Sequence, residues 1–151
     1  GGDTLFASLS AAFSDLDQDM QHKLENLNAI HSFEHGFKES LAEEGGRERL
    51  AEALKENPPI SHPVVKIHPI TNKKILYVNR LFTSHIEGMD VSESDELLEF
   101  LFNHIQKEQF VCRYSWQPNS IAFWDNRSVL HKPVNDYWPQ LRRMERITIE
   151  G

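Results

Sequence analysis

The last third of the chain alternates short apolar runs with turn residues. Turn signals at Gln117-Pro118-Asn119 and Asp125-Asn126-Arg127 separate strand-like runs over residues 110–116, 121–124, 129–134 and 143–149. Four such strands predict an antiparallel β-sandwich or barrel. The first half of the chain supplies helices that would cover one sheet. The predicted fold class is therefore α+β, mainly β.

The first part of the chain has a helical pattern. Apolar residues recur at helical spacing from Leu5 to Leu16, which predicts an amphipathic helix. Asp3 or Thr4, after the Gly1-Gly2 turn, can cap this helix. A second short helix follows a break at residues 15–19. The clearest helix begins at the capping stretch Ser92-Glu93-Ser94-Asp95, and its apolar stripe runs from Leu97 to Ile105.

The middle of the chain combines a charged segment with a hairpin. Residues 38–58 have the composition of a surface excursion or lid, and Pro58-Pro59 end it. Residues 62–79 predict a β-hairpin that turns at Thr71-Asn72-Lys73. A length of 151 residues suits one domain with a real core, so we predict a single domain over residues 1–151.

The composition narrows the possible partners and location. The net charge is −7 and the sequence has no basic arm, so nucleic-acid binding is not expected. No apolar run approaches a membrane span, so no membrane partner is expected either. The single cysteine, Cys112, excludes an intrachain disulfide and suits a reducing compartment. We therefore expect a cytoplasmic location.

A few basic side chains could carry chemistry. His131 lies in a strand-like run, where it is either a metal ligand or a hydrogen-bonded core residue. Arg142 and Arg146 are four residues apart, so they would share a face of the last predicted strand. Their guanidinium groups suit a carboxylate or sulfonate, although pairing with Asp or Glu is the alternative. His31 and His35 have the i, i+4 spacing of some helical zinc sites.

Three segments resemble the TauD/TfdA family of taurine dioxygenases. They read GGDTLFAS, HPVVKIHPITNKKILYVNRLFT and WDNRSVLHKPVNDYWPQLRRMERITI, and they follow one another over nearly the whole chain. Members of this family are Fe(II)- and 2-oxoglutarate-dependent oxygenases. The resemblance implies a double-stranded β-helix, or jelly-roll, core with flanking helices. It also implies Fe(II) as the metal and 2-oxoglutarate and O2 as cosubstrates.

The same resemblance implies roles for individual residues. His131 matches the distal histidine of the iron-binding triad. Arg142 and Thr4 match the residues that hold the far carboxylate of 2-oxoglutarate. Arg146 matches the arginine that holds the sulfonate of a small anionic substrate. Phe82 and Phe37 match aromatic residues that line the substrate pocket. No residue of this sequence is assigned an acid–base role.

One motif of the family does not occur in this sequence. The family places its first histidine and its carboxylate in an H-x-D motif ahead of the GGDT turn, and no H-x-D is present. We therefore expect a C-terminal portion of an oxygenase, with a core incomplete at its N-terminus. The motif is expected about two dozen residues before Thr4 in the encoding gene.

The resemblance favours one reaction and leaves alternatives open. The favoured reaction hydroxylates a small sulfonate such as taurine, with release of sulfite and succinate. Alkyl sulfates and aryloxyalkanoates are the alternative substrates. A truncated non-catalytic anion-binding remnant and a cupin-like metal-binding protein are the alternative classes. Family members often associate, which leaves a homo-oligomer open.

Overall fold

The computed structural model describes residues 1–149, whose strands form two antiparallel three-stranded sheets and one hairpin. In the first sheet β1 is central between β7 and β8, and in the second β2 is central between β3 and β6. Strands β4 and β5 form the hairpin. The strands are β1 (Thr4–Ser8), β2 (Asn28–His31), β3 (Ile60–Pro63), β4 (Val65–Ile67), β5 (Lys74–Leu76), β6 (Thr83–Ile86), β7 (Val111–Tyr114) and β8 (Val129–Pro133).

Seven α-helices and one 3-10 turn are found among residues 1–149. None of these helices has both the length and the apolarity that crossing a bilayer requires. The helices are α1 (Leu9–Ser14), α2 (Gln18–Glu25), α3 (Phe33–Gly36), α4 (Lys38–Ala42), α5 (Gly46–Arg49), α6 (Ala51–Glu56) and α7 (Val91–Ile105), and the 3-10 turn is Glu108–Phe110. The predicted combination of helices with antiparallel sheets is confirmed.

The predicted helix from Leu5 to Leu16 is partly wrong. Thr4 does not cap a helix, because residues 4–8 form β1 and the helix begins only at Leu9. Its cap is Ser8, whose hydroxyl accepts a hydrogen bond from the N–H of Ala11 at 3.3 Å. Pairing of β1 with two strands more than 100 residues away in sequence outweighs the helical spacing of its side chains.

Two of the predicted C-terminal strands are also wrong. Residues 121–124 and 143–149 lie outside strands, whereas the runs around 111–114 and 129–133 are strands as predicted. A strand needs a neighbour for its N–H and C=O groups, and residues 1–149 offer no ladder to either segment. Ile121 and Ile147 are each 90% exposed. The part of the chain that the structure describes contains no closed barrel.

The long helix and the hairpin follow their local patterns. Helix α7 begins at Val91, and its cap is Asp90 rather than Ser92, since the Asp90 carboxylate accepts from the N–H of Glu93 at 3.0 Å. Strands β4 and β5 pair as predicted, with Asn72 at positive φ in the turn. The apolar stripe of α7 packs in one core cluster with residues of α1, β1 and the hairpin. The residues that α7 contributes are Leu97, Leu98, Leu101, Phe102 and Ile105.

Residues 38–58 fold into the three short helices α4, α5 and α6. Most of their side chains are exposed, and Leu41 and Gly46 are the buried exceptions among residues 38–58. A Cβ at Gly46 would lie 2.1 Å from the carbonyl oxygen of Ser40, so the close packing of α4 and α5 requires glycine there. The assignment of this segment as a lid, and that of a single domain over residues 1–151, stay predictions.

Ser94 provides a test of how α7 is attached to the second sheet. Its buried hydroxyl accepts the N–H of Ile86 at 2.9 Å. We expect Ser94→Ala to lower the free energy of unfolding by about 1–3 kcal/mol, because a buried donor loses its partner. Urea unfolding followed by circular dichroism measures the effect. Ser92→Ala, in the exposed first turn of the same helix, is the control, and equal losses in both variants would contradict this assignment.

Candidate functional site

One face of the first sheet gathers several of the predicted site residues. Thr4 and Phe6 are two residues apart on β1. Phe6 is opposite His131 of β8 and Cys112 of β7. Thr4 is opposite Tyr114 in the same ladder. Directly opposed residues of an antiparallel pair point to the same face, as do residues two apart on one strand. The structure therefore places Thr4 and His131 on one face, one step apart along the sheet.

The His131 ring lies among aromatic side chains. Its ring centre is 5.0 Å from that of Trp124 and 6.3 Å from that of Phe6. His131 is exposed by surface area, but partial desolvation of its ring lowers its pKa below the ordinary value, and the positive charge of Arg146 lowers it further. A neutral imidazole is the form that binds a metal, so the environment of His131 suits the predicted role as a ligand.

The residues around His131 supply only part of an iron site. Among residues 1–149 no group of three or more His, Cys, Asp or Glu side chains is placed to hold a metal ion. A facial triad needs two histidines and one carboxylate. Residues 1–149 therefore fit one position of such a triad and do not complete it, and no reaction step through iron follows from them.

Arg142 lies against the glycine turn that precedes β1. Its Nε donates to the carbonyl oxygen of Gly2 at 3.0 Å, and its guanidinium carbon is 5.8 Å from the ring centre of Tyr137. Gly2 has φ +78°, and a Cβ there would lie 2.8 Å from Cδ of Arg142, so this approach requires glycine. Within residues 1–149 the two Nη groups of Arg142 have no hydrogen-bond partner. They are therefore available to a carboxylate.

The predicted strand face shared by the two arginines is wrong, because residues 143–149 do not form a strand. Arg142 is held near Gly2 by a tertiary contact instead, and Arg146 acts on His131 through its charge. The roles of Arg142 for a cosubstrate and of Arg146 for a substrate anion stay predictions.

An ionic network holds the turn before β1. The N–H of Gly2 donates to the Asp136 carboxylate at 2.6 Å, and Nε of Arg113 donates to Asp3 at 2.6 Å. The hydrogen bond from Arg113 keeps the pKa of Asp3 below its ordinary value. Ser115 also donates to Asp3, at 3.0 Å. These bonds tie the start of β1 to β7 and to the segment that leads to Arg142.

Thr4 is buried and already hydrogen-bonded on one side. Its Oγ1 accepts the indole N–H of Trp116 at 2.9 Å. This bond uses a lone pair and leaves the hydroxyl proton free to be donated. Thr4 is two residues after Gly2, whose carbonyl oxygen accepts the hydrogen bond from Arg142. Arg142 therefore contacts the chain two residues before Thr4, and the groups that the two side chains leave open, a hydroxyl proton and a guanidinium fork, are of the kind that binds a carboxylate.

The predicted substrate aromatics also lie together, at the second sheet. The ring centres of Phe37 and Phe82 are 6.2 Å apart, and Phe37 stacks on Phe33 at 4.4 Å. A Cβ at Gly36 would be 2.9 Å from the Phe82 ring, so glycine permits this packing. A surface cleft of about 350 Å³ lies beside Phe37. The structure thus forms two groups, one at β1 with His131 and one at the start of β6.

A hydrogen bond between His68 and Asp125 was missed by sequence reasoning. His68, which precedes a proline in the predicted hairpin, is buried, and its Nε2 lies 3.0 Å from the Asp125 carboxylate. The N–H groups of Ile70 and Thr71 donate to Nδ1 of His68, so the ring proton is on Nε2 and points at Asp125. Hydrogen bonds from Arg127 and His68 hold the pKa of Asp125 far below its ordinary value.

This pair anchors the loop that precedes β8. Asp125 follows Trp124, whose ring packs on His131, so the hairpin turn at His68 helps to fix the surroundings of His131. The only sequence signal was a His-Pro dipeptide, and nothing in it indicates a partner 57 residues away. Only the packing of the hairpin against the loop reveals the pair.

The i, i+4 spacing of His31 and His35 does not correspond to a helical metal site. His31 ends β2 and His35 lies in α3, so the i, i+4 spacing does not place them on one helix face. The His31 ring instead packs on His62 and Tyr77, with ring centres 5.3 and 5.4 Å away. Lys66 lies 3.3 Å from Nδ1 of His62. A cation beside these rings disfavours a metal ion there.

A comparison with protein families decides the relationship. The family described as "Taurine catabolism dioxygenase TauD, TfdA family" matches residues 1–148. The chain belongs to the TauD/TfdA family. This membership is consistent with a dioxygenase class and with the grouping of Thr4, Arg142 and His131 around the first sheet.

Several known members are similar to the chain. An alpha-ketoglutarate-dependent sulfonate dioxygenase of Saccharomyces cerevisiae is 37% identical over 95% of the chain and 34% of its own length. An alpha-ketoglutarate-dependent 2,4-dichlorophenoxyacetate dioxygenase of Burkholderia sp. is 36% identical over 100% of the chain and 49% of its length. The crystal structure of a taurine dioxygenase from Burkholderia xenovorans matches 90% of the chain and 42% of its own with 30% identity and a TM-score of 0.73. The chain thus spans about a third to a half of the proteins it matches.

The environment of His31 predicts how stability depends on pH. Burial, followed by the charges of His62 and Lys66, lowers the pKa of His31 to about 4. Between pH 6.5 and 4 the unfolded chain therefore binds a proton that the folded chain refuses, so stability falls as the pH falls through this window. We expect His31→Gln to reduce this acid sensitivity, measured as the change in urea midpoint between pH 7.5 and 5.

His22→Gln, on the exposed surface of α2, is the matched control. It should leave the difference in urea midpoint between the two pH values as it is in the parent. An unchanged acid sensitivity in the His31→Gln variant would contradict the assignment of this effect to His31.

Proposed function

We propose that the whole protein is an Fe(II)- and 2-oxoglutarate-dependent dioxygenase that hydroxylates a small sulfonate such as taurine, with release of sulfite and succinate. We further propose that this chain contributes part of a double-stranded β-helix core with flanking helices. Residues upstream of the GGDT turn in the encoding gene would complete the metal site with an H-x-D motif.

The observation that carries the proposal is that Arg142 contacts Gly2, two residues before Thr4 at the start of β1. Thr4 offers a free hydroxyl proton and Arg142 an open guanidinium fork, and both groups suit the far carboxylate of 2-oxoglutarate. His131 lies on the same sheet face, one step along the ladder. A cosubstrate bound by its carboxylate at Thr4 would extend its other end towards His131.

Within this proposal the chain's own residues bind and orient. Iron, 2-oxoglutarate and O2 would supply the oxidising power, with O2 as the oxidant and succinate and CO2 as the products of the cosubstrate. Arg142 and Thr4 would fix the cosubstrate, and His131 would offer one neutral nitrogen ligand. Arg146, whose positive charge acts on His131, would be left to bind a substrate anion.

The choice of substrate rests on Arg146 and on the aromatic pair Phe37 and Phe82. A guanidinium group binds a sulfonate, a sulfate ester or a carboxylate, so Arg146 alone does not separate the candidates. The similarity to a sulfonate dioxygenase and to a 2,4-dichlorophenoxyacetate dioxygenase supports both a sulfonate and an aryloxyalkanoate. We propose the small sulfonate first, because Phe82 and its neighbouring segment match taurine dioxygenase.

The other classes are weaker. A cupin-like centre predicts further histidines converging on His131, and residues 1–149 provide no such group. A non-catalytic anion-binding remnant has the same Thr4 and Arg142 contacts but no metal, so an iron titration separates it from the enzyme. We also propose a cytoplasmic location, supported by the single cysteine, and leave association into a homo-oligomer as a proposal.

Arg142 provides the test of the cosubstrate site. Anaerobic titration of the full-length protein with Fe(II) and 2-oxoglutarate should give a weak visible charge-transfer band. We expect Arg142→Ala to raise the dissociation constant for 2-oxoglutarate about 10- to 100-fold, since charge-assisted hydrogen bonds are lost. Arg143→Ala, at an exposed neighbouring arginine, is the control and should bind like the parent. Equal binding by the Arg142→Ala variant would remove Arg142 from the site.

Arg146 provides the test of the substrate site. We expect Arg146→Gln to raise the KM for taurine or a related sulfonate about tenfold or more, because the sulfonate loses its counter-charge. The dissociation constant for 2-oxoglutarate should change little. Succinate formation measured over a series of sulfonates, sulfate esters and aryloxyalkanoates identifies the substrate class. A KM unaffected for every accepted substrate would exclude Arg146 from substrate binding.

A further inference from the structure

Trp116 is a residue that the proposed site does not use and that the structure places in direct contact with it. Its indole N–H donates to Oγ1 of Thr4 at 2.9 Å. Trp116 lies two residues beyond the end of β7, so the bond reaches across to the first residue of β1. The two residues are 112 positions apart in sequence.

The direction of this hydrogen bond is fixed by chemistry. An indole nitrogen can only donate, so the Thr4 oxygen must accept. The hydroxyl proton of Thr4 must then point away from Trp116. Among residues 1–149 this proton has no acceptor, although Thr4 is only 6% exposed. A buried hydroxyl with an unused proton is arranged to donate to something that this part of the chain does not supply.

Trp116 is itself held in place. Its ring packs edge-on against Tyr114, with ring centres 4.9 Å apart. Tyr114 is opposite Thr4 in the ladder between β1 and β7. The indole is therefore fixed by a strand neighbour of the residue that it orients. Rotation of the indole would break both the ring contact and the hydrogen bond, so the geometry is strongly restricted.

We propose that Trp116 is a positioning residue for the cosubstrate, because it holds the Thr4 hydroxyl in the orientation that donates to the far carboxylate of 2-oxoglutarate. This inference rests on the proposed function. Trp116 does not touch the carboxylate in this arrangement. It acts through Thr4, whereas Arg142 binds the same carboxylate by its guanidinium fork.

The test compares two ligands that differ only at the far end. 2-Oxopentanoate has a methyl group where 2-oxoglutarate has its far carboxylate, so it keeps the 2-oxoacid group and loses the partner of Thr4. Trp116→Phe keeps an aromatic ring and removes the N–H. Binding of each ligand to the full-length Fe(II) protein is measured anaerobically, by calorimetry and by the charge-transfer band.

We expect Trp116→Phe to weaken 2-oxoglutarate binding about fivefold and to leave 2-oxopentanoate binding unchanged, because one hydrogen bond loses its orientation. Tyr114→Phe, which keeps the ring that packs on Trp116, is the matched control and should bind both ligands like the parent. Equal weakening of both ligands in the Trp116→Phe variant would show a general packing role and overturn the proposal, as would no change in either.

A second variant approaches the same bond from the other side. Thr4→Val removes the hydroxyl at nearly constant volume, so adding Trp116→Phe to it should cause no further loss of 2-oxoglutarate affinity. Additive losses in the double variant would overturn the proposal. A parent protein that binds no 2-oxoglutarate would instead contradict the proposed function, and the two failures are therefore distinguishable.

Discussion

The central position of β1 in the first sheet is the constraint on which the rest of the site depends. β1 pairs with β7 on one side and β8 on the other, and both partners come from more than 100 residues further along the chain. These pairings bring Thr4 next to Trp116 and set His131 one step away. Without them, each of these side chains would belong to a separate piece of sequence with no shared environment.

The polar contacts around β1 reinforce this pairing. Asp3 accepts from Arg113 and Ser115 of the β7 side, and Asp136 accepts the N–H of Gly2. The turn at Gly2 then approaches Arg142 closely enough that a side chain would collide. These bonds are individually modest, since several of them are exposed. Together they hold the turn before β1 in place, and this turn positions Thr4 and contacts Arg142.

Local patterns predicted the parts of the fold that depend on local physics. Helix α7 follows from its apolar stripe and its acidic first turn, and the β4–β5 hairpin follows from two strand-like runs around a turn. The segment from Leu5 to Ser8 was predicted as helix because its spacing fits one, but two distant strands compete for its backbone. Residues 121–124 fail in the opposite way, since a strand-like pattern does not form a strand without a neighbour.

The site shows the same division. The sequence by itself determined the family, through motifs that span nearly the whole chain. The same motifs predicted site roles for His131, Arg142 and Thr4. Only the tertiary structure decided that Trp116 donates to Thr4, that His68 pairs with Asp125, and that His31 and His35 do not share a helix face. The physical reason is distance along the chain. Contacts between residues 57 or 112 positions apart depend on strand pairing and packing, and no local pattern encodes them.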